Sequence, residues 1–140
     1  MAKPKTRNNR PPMSPLPAFL ITFGAAAAGG LLLGFIAGLT AGSLMRDLFF
    51  GFGQLVGGMG GMFIGYPIGA TLGLLLLKKR WRFRGSVLLG MVGCLVGAVA
   101  TMGPAEMFGI TAAFSLPAYA VAVPLLGAIG FNLGKGKTGR

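Results

Sequence analysis

The segment GFGQLVGGMGGMFIGYPIGATLG, residues 51–73, decides the fold of this chain. It carries a glycine at every fourth position, in a row that consists of Gly53, Gly57, Gly61, Gly65, Gly69 and Gly73. In a water-exposed helix each glycine would cost about 1 kcal/mol relative to alanine. In a lipid bilayer, small residues instead let two helices approach closely and pack. As a helix the row would be about 30 Å long, which matches the hydrocarbon core of a membrane.

The composition of the whole chain also indicates a membrane protein. Of its 140 residues, 54% are hydrophobic and 11% are charged, whereas soluble domains carry about 25% charged residues. The sequence has no histidine, one cysteine, Cys94, and two acidic residues, Asp47 and Glu106. It therefore lacks the commonest general base and the commonest metal ligand, and a single cysteine cannot form an internal disulfide. We predict no catalytic residues, no metal site and no enzyme activity.

Four apolar segments are long enough to be membrane spans, because a helix needs about 20 apolar residues to cross the bilayer core. They cover residues 17–44, 48–77, 85–103 and 110–133. The predicted fold is an all-α membrane protein with four transmembrane helices in two hairpins, held together by glycine-zipper packing. A basic, proline-rich tail at residues 1–16 precedes the transmembrane domain of residues 17–134, and a second basic tail covers residues 135–140.

The charges give the expected orientation of the spans. All of the 13 basic residues except Arg46 lie in the two tails or between the second and third spans, and both acidic residues lie on the other side. Because basic residues stay on the cytoplasmic side of a membrane, both termini are predicted to be cytoplasmic. The first apolar run is longer than the core of a secretory signal peptide, so we expect a retained span. The predicted location is the bacterial inner membrane or an equivalent organelle membrane.

The segment KKRWRFR, residues 78–84, combines cations with aromatic rings directly between two predicted spans. Such a pattern also occurs in nucleic-acid sites. Next to a span, however, aromatic rings lie at the headgroup level and basic side chains extend to lipid phosphates. We therefore predict that this segment contacts anionic lipid headgroups rather than nucleic acid, through Lys78, Lys79, Arg80, Trp81, Arg82 and Arg84.

Small residues repeat every four positions in other spans too. The first span carries Gly30, Gly34, Gly38 and Gly42 after Ala26, and the third span carries Gly93 and Gly97. We predict that these glycines pack helices together and that the rows of the first two spans face each other closely. Since four residues turn a helix by about 400°, each step of a row drifts by about 40° around the axis. We therefore expect two neighbouring helices to share the row of the second span, one near each leaflet.

Three prolines lie inside the predicted spans, Pro67 in the second and Pro117 and Pro124 in the fourth. Each removes one hydrogen bond of its helix, to the carbonyl four residues earlier, and predicts a kink. The few polar residues of the spans, among them Tyr66 and Tyr119, form no recognisable relay for protons or ions. A transporter usually has charged residues within the membrane, and none is found in these spans.

Four spans in 140 residues, both termini on the basic side and glycine rows in the first two spans resemble the Tim17/Tim22/Tim23 family of protein-translocase subunits. The resemblance implies a role in inserting or moving polypeptides, with a lipid-facing concavity formed by the spans. The Arg-x-x-x-Asp element of that family near the second span is absent, and the nearest acid–base pair is the adjacent Arg46–Asp47. No functional residue is therefore transferred. The sequence is also similar to small glycine-rich bacterial membrane proteins without an assigned activity.

The missing catalytic chemistry and the small faces on every span favour an accessory or structural subunit that packs within a larger membrane complex. The alternative is a channel or a translocase-like component that acts as a glycine-zipper oligomer. The expected partners are membrane lipids and other membrane subunits or copies of the chain, and not nucleic acid. No cofactor is predicted, although apolar walls would suffice for contact with a pigment, a quinone or a lipid.

Overall fold

A computed structural model describes residues 14–47, 52–81, 83, 85–107 and 112–134. In chain order it contains the helices α1 Pro15–Leu44, α2 Gly53–Trp81, α3 Val87–Met107 and α4 Ala112–Leu133. Within these residues there is no β-strand, so the predicted all-α fold with four helices is confirmed. Residues 1–13 and 135–140 of the two predicted tails lie outside the described residues, as do Arg82 and Arg84.

The start of α1 and the end of α2 differ from the prediction for reasons of local chemistry. α1 begins at Pro15 rather than at residue 17, because the first turn of a helix does not need the N–H that proline lacks. α2 continues to Trp81 and includes three basic residues, 78–80, that the sequence predicts to lie in a loop. Cations in the last turn are favoured by the partial negative charge of a helix C-terminus, so α2 does not end where its apolar run ends.

α3 begins at Val87, directly after Ser86. The backbone N–H of Leu89 lies 3.4 Å from the hydroxyl oxygen of Ser86, in the arrangement of a helix N-cap. The backbone N–H of Ser86 donates to the carbonyl of Phe131 at 3.1 Å, which joins the start of α3 to the end of α4. α3 extends beyond its predicted end at residue 103, and α4 ends at residue 133 as predicted. The predicted start of the fourth span at residue 110 lies outside the described residues.

Three helical segments are long and apolar enough to cross a membrane: Pro15–Leu44, Gly53–Trp81 and Ser115–Leu133. The described apolar part of α3, Val87–Thr101, is shorter and as a helix is about 22 Å long. A hydrocarbon core is about 30 Å thick. The described residues therefore contain three candidate spans, and Val87–Thr101 is a shorter apolar helix among them.

The helices pack as two antiparallel hairpins. α1 lies against α2 over most of its length, α3 lies against α4, and α4 also contacts α1 and α2. The largest fully buried side chains include Leu74, Val123 and Phe131. Many other large apolar side chains face outwards, and Leu32 and Leu39 of α1, for example, are 64% and 60% exposed. An extended apolar surface of this kind is typical of a protein in contact with membrane lipid.

Candidate functional site

The seam between α1 and α2 is built from the glycine row of α2. A Cβ atom added to five of these glycines would meet a backbone carbonyl of α1. In order, Gly57 faces Ala41, Gly61 faces Ala37, Gly65 faces Leu33, Gly69 faces Gly29 and Gly73 faces Ala25. Each step of four residues along α2 thus moves the contact back by four residues along α1. The two helices keep one constant antiparallel register, and their backbones touch from Gly57 to Gly73.

The constant register corrects the expectation that two neighbouring helices share this row. The nearest atoms around all five glycines belong to α1 or to Met45 directly after it. The expectation is wrong because α1 carries small residues with the same four-residue period, so the contact surfaces of both helices drift together. A pair with this period winds in the right-handed sense, and one partner then follows the row from Gly57 to Gly73. Gly53, at the start of the row, is buried as well.

α1 contributes its own buried row to the bundle. Its buried residues recur every four positions without a break: Ala18, Thr22, Ala26, Gly30, Gly34, Gly38 and Gly42. An added Cβ would lie 3.1 Å from the ring of Tyr66 at Gly30, and 3.4 Å from Tyr66 at Gly34. It would lie 2.7 Å from Cγ of Met62 at Gly38, and 3.0 Å from the carbonyl oxygen of Gln54 at Gly42. The four glycines of α1 that the sequence singles out therefore all lie against α2.

Similar geometry is found between α3 and α4. An added Cβ at Gly93 would meet the carbonyl of Leu126, and at Gly97 it would lie 2.8 Å from the carbonyl oxygen of Ala122. One step of four residues along α3 again moves the contact back by four residues along the partner helix. Both hairpins are therefore closed by backbone contacts at small residues, and a larger side chain at these glycines would push the helices apart.

A proline inside α2 leaves one carbonyl without its usual donor. Pro67 lacks the N–H that would bond to the carbonyl of Phe63, four residues earlier. The hydroxyl of Tyr119, on α4, donates to this carbonyl oxygen at 2.6 Å. The Tyr119 ring also stands edge-on to the Phe63 ring, with the ring centroids 5.0 Å apart. Because an unpaired carbonyl in hydrocarbon costs several kcal/mol, this bond from α4 compensates for the proline of α2.

The reciprocal arrangement is found on α4. Pro124 leaves the carbonyl of Ala120 without a donor, and the hydroxyl of Tyr66 on α2 donates to it at 2.7 Å. The two tyrosine rings are tilted against each other, with their centroids 5.5 Å apart. α2 and α4 therefore each supply the hydrogen bond that a proline removes from the other helix. We call Tyr66, Pro67, Tyr119 and Pro124 the tyrosine–proline cluster.

A third polar contact joins α1 to α4. The side-chain amide of Asn132 donates to the hydroxyl oxygen of Thr22 at 2.9 Å and to the carbonyl of Ala128 at 2.8 Å. Thr22 is fully buried, and its hydroxyl donates to the carbonyl of Phe19 at 2.8 Å. In the part of the chain that the structure describes, no buried side-chain nitrogen or oxygen lacks a hydrogen-bond partner. The interior polar groups named here thus join the helices to one another.

Replacing Thr22 with valine is expected to weaken the contact between α1 and α4. The change keeps the shape of the side chain but removes the hydroxyl that accepts from Asn132, and hydrogen bonds between membrane helices average about 0.6 kcal/mol. We expect the free energy of unfolding, measured by SDS titration in mixed micelles, to fall by about that amount. Thr40→Val is the matched control, because Thr40 is exposed and its hydroxyl donates within α1, to the carbonyl of Ile36. Equal losses in the two variants would contradict this interpretation.

Two of the grooves on the outer surface of the hairpins lie beside the features described above. One lies beside the tyrosine–proline cluster, includes Phe35 and Met59 in its lining, and has a volume of about 190 Å³. The other lies over the α1–α2 seam and runs past Ala28 to Arg80 and Trp81, with a volume of about 550 Å³. Of these two, only the second, which we call the seam groove, reaches the range of about 300–1,000 Å³ that is usual for ligand pockets.

The predicted lipid-headgroup residues lie at one end of the bundle as far as they are described. Lys78, Lys79, Arg80 and Trp81 form the last turn of α2, and all four are exposed. Asp47 follows α1 and therefore lies at the opposite end of the antiparallel hairpin. The helix packing thus separates these cations from this acidic residue by the length of the bundle.

The thiol of Cys94 lies inside the bundle. Among the side chains of residues 14–47, 52–81, 83, 85–101 and 115–134 there is no group of three or more His, Cys, Asp or Glu that could hold a metal ion. Cys94 is a buried free thiol, and a Cβ added to Gly127 of α4 would meet its sulfur. Cys94 therefore serves here as a small core residue between α3 and α4.

Comparison with known proteins gives no match. No protein-family model matches the chain, no curated protein is significantly similar to it in sequence, and no solved structure is significantly similar to it in fold. A function must therefore be inferred from the seams, the cluster and the grooves themselves.

Proposed function

We propose that the chain is a non-enzymatic integral membrane protein that packs as an accessory or structural subunit within a larger membrane complex. The observation that carries this proposal is that small residues form the contacts between helices while many large apolar side chains face outwards. The seams consist mainly of glycine and alanine, while large side chains such as Leu31, Leu39 and Ile64 face outwards. Such a molecule closes its seams through small residues, which leaves its outward-facing large side chains free to contact lipid and the helices of partner subunits.

In this proposal all four helices cross the membrane, and the rows of α1 and α2 form a glycine zipper. α3 has 21 residues in total, which corresponds to about 32 Å of helix and suffices for a span. The polar interior supports the same view. The hydroxyls of Tyr66 and Tyr119 and the amide of Asn132 are all engaged in bonds between helices.

The basic end of the bundle lies at the cytoplasmic surface in this proposal, together with both termini. Basic residues remain on that side of a membrane, and each one near an anionic surface contributes about 1 kcal/mol of attraction. The last turn of α2 would then contact anionic lipid headgroups through Lys78, Lys79 and Arg80. The membrane would be the bacterial inner membrane or an equivalent organelle membrane.

Extraction of the tagged chain in a mild detergent tests the proposed role. We expect it to migrate on a native gel together with other membrane proteins, at a mass well above that of the 14.3 kDa chain with its detergent. An unrelated tagged membrane protein of similar size, extracted in parallel, controls for non-specific association. A stable and monodisperse species that contains this chain alone would contradict the proposal.

The second candidate is a channel or translocase-like component that acts as an oligomer. Gly24 and Gly60 favour it, because a Cβ added to either would meet no atom within 4 Å and both leave bare backbone where another helix could pack. A pathway through one copy is disfavoured, since Leu74, Val123 and Phe131 fill the interior. Reconstitution in liposomes separates the candidates: ion conductance or polypeptide binding, together with cross-linked homo-oligomers, would favour the second.

A further inference from the structure

We propose that the seam groove binds one acyl chain of an anionic phospholipid whose phosphate lies against Arg80. This inference rests on the proposed membrane setting, and it adds a defined ligand and a defined position to it. The groove lies over the α1–α2 seam, where Ala25, Ala28 and Gly73 line it with small side chains. Its volume of about 550 Å³ and its apolar lining suit a hydrocarbon chain.

The groove is long enough to cover one membrane leaflet. Gly73 faces Ala25 in the antiparallel register, so the lining residues 25–32 of α1 and 73–81 of α2 extend in opposite directions from this contact and together cover about 22 Å along the helices. Half of the hydrocarbon core is about 15 Å thick. Because Arg80 and Trp81 belong to the last turn of α2, the groove extends inwards from the basic end of the bundle. An acyl chain extends inwards from its headgroup in the same way.

The basic end of the groove has the chemistry of a phospholipid headgroup site. Arg80 offers a planar fork of N–H donors that matches a phosphate, and the amphipathic indole of Trp81 is typical of the headgroup level. Lys78 and Lys79 add positive charge to the same helix end, while Asp47 lies at the other end of the hairpin. The charge at this end therefore favours an anionic phospholipid over a zwitterionic one.

A second helix is the competing occupant of the groove. A helix is at least about 10 Å in diameter, so a segment as long as the groove would occupy roughly 1,700 Å³. The groove offers about 550 Å³, so a helix could pack across its opening but could not enter it. An acyl chain is much thinner and can lie within the groove without displacing the helices.

Native mass spectrometry of the purified chain tests this assignment. After equilibration with phosphatidylglycerol or with phosphatidylcholine of the same acyl chains, we expect one retained lipid, with phosphatidylglycerol retained at least fivefold more strongly. Arg80→Gln should lower this preference about fivefold, which corresponds to about 1 kcal/mol for one basic residue. Arg46→Gln is the matched control, because Arg46 follows α1 at the opposite end of the hairpin, and it should change the preference less than twofold. Excess inorganic phosphate should not displace the lipid.

A second pair of variants tests the acyl-chain site. Ala28→Phe places a ring in the groove and should abolish the retention of both lipids, because Ala28 is exposed along its lining. Gly60→Phe is the control, since Gly60 is equally exposed but lies outside the groove. Unfolding midpoints equal to that of the unmodified chain would show that both variants fold.

Three outcomes would overturn the proposal: equal effects of Arg80→Gln and Arg46→Gln, wild-type retention in Ala28→Phe, or displacement of the lipid by inorganic phosphate. Co-purification of partner subunits is measured on the same preparations. Loss of the lipid preference while partners are retained is the result expected for Arg80→Gln. Absence of partners with normal lipid retention would contradict the subunit role and leave the lipid site supported.

Discussion

Replacing Gly61 with leucine is expected to lower the free energy of unfolding by about 3 kcal/mol or more, whereas the same change at Gly60 is expected to have little effect. A Cβ at Gly61 would meet the carbonyl of Ala37 and lie 2.9 Å from the Cβ of Ala41. These atoms belong to the backbone and to the first side-chain carbon of α1, so they cannot move away unless the helices separate. A Cβ at Gly60 would meet no atom within 4 Å.

The two glycines form a closely matched pair, because they are neighbours on α2 and share its helix propensity and depth. Reversible unfolding in mixed micelles, followed by the fluorescence of Trp81, gives the two free energies. Gly61→Ala should already show a loss of about 1–3 kcal/mol, since the clash begins at the Cβ. Similar losses in Gly60→Leu and Gly61→Leu would show that the penalty is not caused by the contact with α1.

Removing the hydroxyls of Tyr66 and Tyr119 together, with phenylalanine in both positions, is expected to cost about 2–4 kcal/mol of unfolding free energy. Each change keeps the ring but leaves a carbonyl without any donor, because the residue that would normally donate is a proline. Each single variant should lose about 1–2 kcal/mol, more than the average for hydrogen bonds between membrane helices.

The matched proline variants make this prediction specific. In a Pro124→Ala background the backbone N–H returns to the carbonyl of Ala120, so Tyr66→Phe should cost about 1 kcal/mol less than it does in the unmodified chain. Tyr119→Phe should be coupled to Pro67→Ala in the same way. The mismatched pair of Tyr66→Phe with Pro67→Ala should show no such coupling. Equal coupling energies in matched and mismatched pairs would refute the carbonyl assignment.

The strip of each helix that packs could be predicted from the sequence, because a four-residue period of small residues defines one side of a helix. Gly34 and Gly65 were assigned on this basis, and in the structure a Cβ at Gly65 would lie 3.1 Å from Cα of Gly34. The number of helices that contact the glycine row could not be predicted from α2 alone. It depends on whether the contact surface of the partner helix turns around its axis with the same period, as that of α1 does through Ala37 and Ala41.

The tyrosine–proline cluster could be predicted only in part. The free carbonyls of Phe63 and Ala120 follow from the sequence, since each lies four residues before a proline. Their donors do not, because the two tyrosine hydroxyls reach carbonyls that are 54 and 56 residues away in the chain. Which donor meets which carbonyl is decided only when the two hairpins dock. The presence of each tyrosine within a few residues of a proline was the signal available in the sequence.

The four-residue period also bears on sliding between α1 and α2. A row with this period coincides with itself after a shift of one repeat, which is about 6 Å along the helix axis. After such a slip Gly69 would no longer face Gly29 but the residue of α1 that lies four positions away. The glycines therefore fix the distance between the helices but not their axial position. The ring of Tyr66 does not repeat: it lies against Gly30, and its hydroxyl is bound to α4. Tyr66 therefore determines which of several nearly equivalent alignments the hairpin adopts.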